Sequence, residues 1–122
     1  MTGRISLVAD DDASVRKLIS ATLQEEDFQA VEAEDGAQAL RIVRELGNHI
    51  ALIVSDVQMP NGDGLTFARA VKRAFPAVPI ILVSGCSEPS AEFDFFLRKP
   101  FPPSALLEAV RSLVADHACS PV

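Results

Sequence analysis

The chain has 122 residues, 48% of them hydrophobic and 23% charged, which describes one ordinary globular domain long enough to bury a real core. Seventeen acidic residues against eleven basic ones leave a net charge of −6, which argues against binding nucleic acid or an anionic membrane through the chain's own field. No apolar run approaches the roughly 20 residues of a membrane span, and no basic-then-apolar leader opens the chain. Cys86 and Cys119 have neither disulfide-framework density nor metal-ligand spacing, so a reduced, cytoplasmic protein is expected.

Arg4 to Ala9 is a short apolar run that stops abruptly at Asp10-Asp11-Asp12. Val15, Leu18, Ile19, Thr22 and Leu23 follow at helical spacing. Phe28 to Ala33 reads as a second strand, and Ala39, Leu40, Val43 and Leu46 mark a second helix after Asp35-Gly36. Ile50 to Ser55 is almost continuously apolar, as suits a central strand covered on both faces of a parallel sheet. Leu65, Ala68, Val71 and Phe75 form a third helix, bracketed at its end by Pro76 and Pro79. Residues 79–83 make a fourth buried strand and residues 93–97 a short fifth. Leu106, Leu107, Val110, Leu113 and Val114 give the last helix, with Pro102 and Pro103 at its N-terminal edge, where a missing N–H costs little. There are no repeats and no low-complexity linker.

Strands alternating with helices predict a doubly wound parallel α/β sheet, in which function collects beyond the carboxyl ends of the strands. The polar residues at those ends are Asp10-Asp11-Asp12, Asp56, Ser84 and Lys99. Asp12 directly precedes a helix, so it reads first as an N-cap. Asp10, Asp11 and Asp56 brought together would repel by several kcal/mol at ~4 Å with an effective dielectric near 20. A divalent cation makes such a cluster tolerable, and hard oxygen ligands with few protein donors suit Mg²⁺. Taken alone, Ser84 reads as a turn hydroxyl and Lys99 as a surface charge, although Pro100 restricts the turn after Lys99.

Leu7 to Asp12, Ile53 to Pro60 with Asp63-Gly64-Leu65, Val83-Ser84-Gly85 and Lys99-Pro100-Phe101 together resemble the receiver domain of bacterial two-component response regulators. The resemblance runs through essentially the whole chain, and its ordered set of motifs is far more specific than any one of them. It implies a flavodoxin-like sheet of five parallel strands in the order 2-1-3-4-5. It implies a single receiver domain over residues 1–122, with a core of about 4–115 and a short tail at 116–122. Asp56 would be the phosphoacceptor, taking phosphoryl from a histidine of a partner kinase or phosphotransfer protein. Asp11, Asp56 and the backbone carbonyl of Gln58 would hold Mg²⁺, with Asp10 acting through water. Lys99 would neutralise the phosphoryl oxygens, and Ser84 would move toward them. Phe96 matches the switch aromatic, and plain core packing is its competing reading.

One departure stands out. Ser84 and Lys99 are only fifteen positions apart, and residues 85–92 have no apolar periodicity, so the family's fourth helix is expected to be shortened or absent. That puts the family's common dimer face in doubt and predicts a monomer. Such short segments also occur in receivers attached to hybrid histidine kinases, which is the alternative context. A haloacid-dehalogenase-like phosphatase, with Asp10-x-Asp12-x-Ser14 as its nucleophile motif, is the rival from another class, but it leaves Asp56 unexplained and lacks acids soon after the lysine. A receiver fold kept as a binding module without phosphorylation is a further rival, and a nucleotide-binding loop fails against three acids after the first strand. The expectation is a phosphorylation-controlled switch that catalyses only its own phosphorylation and dephosphorylation. It would act on an unknown downstream protein, without nucleic acid or membrane, and residues 115–122 would be a frayed tail with no effector domain.

Overall fold

The computed structural model describes residues 4–59, 64–85 and 95–118, with side chains of the last helix through Leu113. Its elements are β1 Arg4–Ala9, α1 Ala13–Gln24, β2 Phe28–Ala33, α2 Gly36–Leu46, a 3₁₀ turn Gly47–His49, β3 Ile50–Asp56, α3 Gly64–Ala74, β4 Ile80–Ser84, β5 Phe95–Arg98 and α4 Pro103–Ala118. The five strands pair in parallel in the order β2-β1-β3-β4-β5, as the resemblance implied. Four α-helices are present among the described residues. The expected loss of a helix concerns residues 85–92, which apart from Gly85 lie outside the described residues; so do Phe93 and residues 119–122. No helix among the described residues is long and apolar enough to cross a membrane.

Three strands run further than the sequence reading set them, each for a pairing reason. β3 continues to Asp56 because that residue still pairs with Val83. β4 continues to Ser84, and β5 reaches Arg98, because those two residues are partners. The sheet therefore carries its polar residues as its last rungs. Asp12 caps α1, its carboxylate accepting from the N–H groups of Ser14 and Val15, and Asp35 caps α2 by accepting from Gln38. Each such cap is worth about 1 kcal/mol over alanine.

Alternation along the strands sends side chains to two cores. Leu7, Ala9, Ile53 and Leu82 pack with Val43, Phe67 and Val71 under α2 and α3. Val8, Leu52, Val54, Ile81 and Val83 pack with Ile19, Leu23, Leu106 and Val110 under α1 and α4. Both faces of the central strands are thus covered, which is why their sequences read as unbroken apolar runs.

Gly64 opens α3 directly behind the end of β3. Its N–H donates to the Val57 carbonyl at 2.8 Å, and a Cβ built there would collide with the Asp56 carbonyl oxygen. Backbone cannot yield as a flexible side chain does, so Gly64→Ala must displace the chain at Asp56. The expected cost is about 1–3 kcal/mol. A fall in the denaturant midpoint with an unchanged m-value checks this; a midpoint equal to wild type overturns it.

Candidate functional site

Register builds the site. Ala9 pairs with Ser55, so the next residues, Asp10 just past β1 and Asp56 at the end of β3, come side by side. Both keep the parity of Val8 and Val54, the residues that face α1 and α4. Asp11 follows as an exposed residue. One carboxylate oxygen from each of Asp10, Asp11 and Asp56 lies within 4.8 Å of the others.

Asp10 is fully buried and held at four points. Its N–H donates to the Ala33 carbonyl at 3.1 Å, and its Oδ1 accepts from the Asp12 N–H at 2.9 Å. Its carbonyl accepts from Arg16 Nη1 at 2.9 Å. Lys99 Nζ stands 2.8 Å from Oδ2 and pairs with it as an ion.

Asp56 is 5% exposed. Its Oδ1 accepts from the Gln58 N–H and its Oδ2 from Lys99 Nζ, each at 3.1 Å. Burial pushes its carboxyl above the ordinary 3.8; the Gln58 N–H and Lys99 pull the other way, and the Asp10 charge adds to the rise. For Lys99, burial works against the charge, but Asp10 and then Asp56 outweigh it and hold the ammonium above 10.5. Lys99 is placed by its own backbone, whose N–H donates to the Ser84 carbonyl at 2.8 Å. The Lys99–Pro100 peptide that follows is cis.

The donor set fits a hard divalent cation. It is all oxygen, and it gathers three carboxylates, two of them buried, against one ammonium. The structure brings Asp10, Asp11, Asp56 and Lys99 together. Gln58 is exposed just past β3, and Ser84 is fully buried at the end of β4. Phe96 pairs with Leu82 and packs half-buried into the core under α2 and α3, while Pro100 is exposed beside the lysine. Asp12 serves as the cap. Sequence reading missed Arg16, which bonds both Glu32 and the Asp10 carbonyl. The one available signal was a base early in a helix that three acids introduce.

The model of the response regulator receiver domain matches residues 6–111, and the chain belongs to that family, the receiver domains of two-component systems. Among curated relatives, the sensor kinase CckA of Brucella abortus is 37% identical over 117 residues, which cover 90% of this chain and 12% of that protein. The chain spans about half or less of the length of the curated relatives it matches first. The solved chemotaxis response regulator CheY4 of Vibrio cholerae is 29% identical at a TM-score of 0.81, covering 92% of this chain and 99% of that one. The receiver domain of the hybrid histidine kinase CckA is 30% identical at a TM-score of 0.79, covering 90% and 98%.

The raised Asp56 carboxyl makes a signed prediction. A group whose folded pKa exceeds its unfolded one stabilises the protonated fold, and that contribution is lost as pH rises through the folded value. Asp56→Asn keeps the shape without the charge. Its melting temperature without metal should match wild type below about pH 3.8, exceed it by a margin that grows as pH rises through the folded value, and keep that margin above it. A margin that shrinks as pH rises would contradict the burial argument.

Proposed function

We propose that the domain takes a phosphoryl group from a histidine of a sensor kinase or phosphotransfer protein onto Asp56, and that the product changes which protein it binds. One observation carries this reading: three carboxylates within 4.8 Å of one another, with a single ammonium bridging the two buried ones. Asp56 is the nucleophile. As its oxygen bonds to phosphorus, the bond to the donor's imidazole nitrogen breaks and the imidazole keeps the electron pair. The Gln58 N–H and Lys99 hold the two Asp56 oxygens, which is the positioning that phosphoryl transfer requires. Lys99, charged at neutral pH, then pairs with the phosphoryl oxygens.

Asp11, Asp56 and the Gln58 backbone carbonyl would hold Mg²⁺, with Asp10 acting through water. Bound there, the ion supplies positive charge against the phosphoryl oxygens. Ser84 and Phe96 form the switch: the hydroxyl moves toward the phosphate and the ring repacks behind it. The domain catalyses its own phosphorylation and dephosphorylation only. A phosphatase built on Asp10 and Asp12 is disfavoured because Asp12 is spent on the α1 cap and Asp10 on Lys99 and the Asp12 N–H.

An apolar cleft of about 310 Å³ beside the site, lined by Val15, Leu18, Lys99, Pro100 and Phe101, suits the histidine-bearing helix of the phosphodonor. It is continuous with Lys99, and among the described residues Leu18 is the exposed large hydrophobic one, at 46%. We take the domain to act as a monomer through proteins, without nucleic acid or membrane.

Acetyl phosphate with Mg²⁺ should add one base-labile phosphoryl group, mapped to Asp56 by mass spectrometry and absent in Asp56→Asn. Millimolar Mg²⁺ should raise the melting temperature, by roughly 2.7 kcal/mol of stabilisation at 100 times its Kd. Phosphate on Asp10 or Asp12 would reverse the assignment. The cleft has its own test: Leu18→Asp should slow transfer from a phosphohistidine protein by about tenfold, the scale of one interface anchor. Labelling by acetyl phosphate should fall far less. Equal slowing of both donors would place the effect on the chemistry and remove the cleft from the reading.

A further inference from the structure

Arg16 stands at the fourth position of α1, where the helix dipole favours an acid over a base. Its side chain is only 13% exposed, and a guanidinium so enclosed has to be paired. It is paired twice. Nε meets Glu32 Oε1 on β2 at 2.8 Å, and Nη1 donates to the Asp10 carbonyl at 2.9 Å. One side chain thereby ties the start of α1 to the ends of β1 and β2, at the very residue whose carboxylate lies in the acidic cluster. Burial disfavours a charged Glu32, but the Arg16 bond, with Ser20 and Lys17, holds its carboxyl below the ordinary 4.5.

We infer that Arg16 and Glu32 form a clamp that positions Asp10, and through it Asp11, for the cation of the phosphorylation site. This rests on reading Asp10, Asp11 and Asp56 as that cation's ligands. Arg16 is a positioning residue, acting through the Asp10 carbonyl. The sign of its effect separates this role from two simpler ones. Removing a positive charge beside three carboxylates should by Coulomb attraction alone tighten binding of a divalent cation. A purely structural residue would lower the melting temperature and leave cation affinity alone. A clamp predicts weaker binding.

The experiment is calorimetric titration with Mg²⁺ alone, since a chain without Trp or Tyr offers little intrinsic fluorescence. Arg16→Met and Glu32→Leu should each weaken Mg²⁺ binding by about tenfold, the scale seen when partners behind metal ligands are removed. Arg16→Lys, able to keep one of the two contacts, should fall between them and wild type. Exposed Lys17 is the charge control, and Lys17→Met should bind Mg²⁺ as tightly as wild type or tighter. Melting curves without metal show which variants fold; if Arg16→Met does not, Arg16→Lys and Glu32→Leu carry the comparison. Unchanged or tighter binding in the folded clamp variants overturns the clamp alone, as does equal weakening by Lys17→Met. A wild-type protein that takes up no Mg²⁺ at millimolar concentration overturns the ligand reading and the clamp with it.

Discussion

Lys99 Nζ lies within 3.1 Å of carboxylate oxygens on both Asp10 and Asp56, and the end of the sheet is organised around that contact. Two carboxylates within 4.8 Å of each other repel by about 3 kcal/mol or more at an effective dielectric of 20. Both are nearly removed from water, so solvent does little to relieve them. The ammonium offsets part of that repulsion but carries one charge against three. A deficit of positive charge is therefore built in, and it is this deficit that the proposed cation would fill.

Parallel pairing makes the arrangement possible. Every strand points its carboxyl end the same way, so residues far apart in sequence become neighbours once register is set. β5 adds a second property. Phe95 and Leu97 pack into the core under α1 and α4, while Phe96 packs into the one under α2 and α3. Lys99 follows directly on a strand that has side chains in both. A shift of the lysine is then felt on both faces of the sheet, at positions whose packing tolerates little displacement.

Much of this was legible in the sequence because the signals were local. The apolar run at Ile50 to Ser55 and the acid or base after each run could be read residue by residue, and they gave the strand ends where Asp10, Asp56 and Lys99 gather. The strand limits were less legible. Asp56 and Ser84 look like loop residues by composition, and only their partners, Val83 and Arg98, make them rungs. The Arg16 to Glu32 pair was hidden for a related reason: its members stand sixteen positions apart, one on a helix and one on a strand. The close approach of Gly64 to the Asp56 carbonyl was equally invisible, since backbone packing leaves no mark on composition.

The Asp12 cap has a consequence for selectivity. Helix starts attract free phosphate and sulfate because their unpaired N–H groups point outward. Here α1 begins beside the acidic cluster, yet the Ser14 and Val15 N–H groups are already occupied by Asp12. The nearest ammonium is likewise engaged by two carboxylates. An inorganic anion drifting in from solution meets negative charge and no vacant donor from these groups. This end of the sheet therefore offers a free anion little to hold, and on the proposed reading a phosphoryl group is retained there by the covalent bond of its delivery and not by vacant donors.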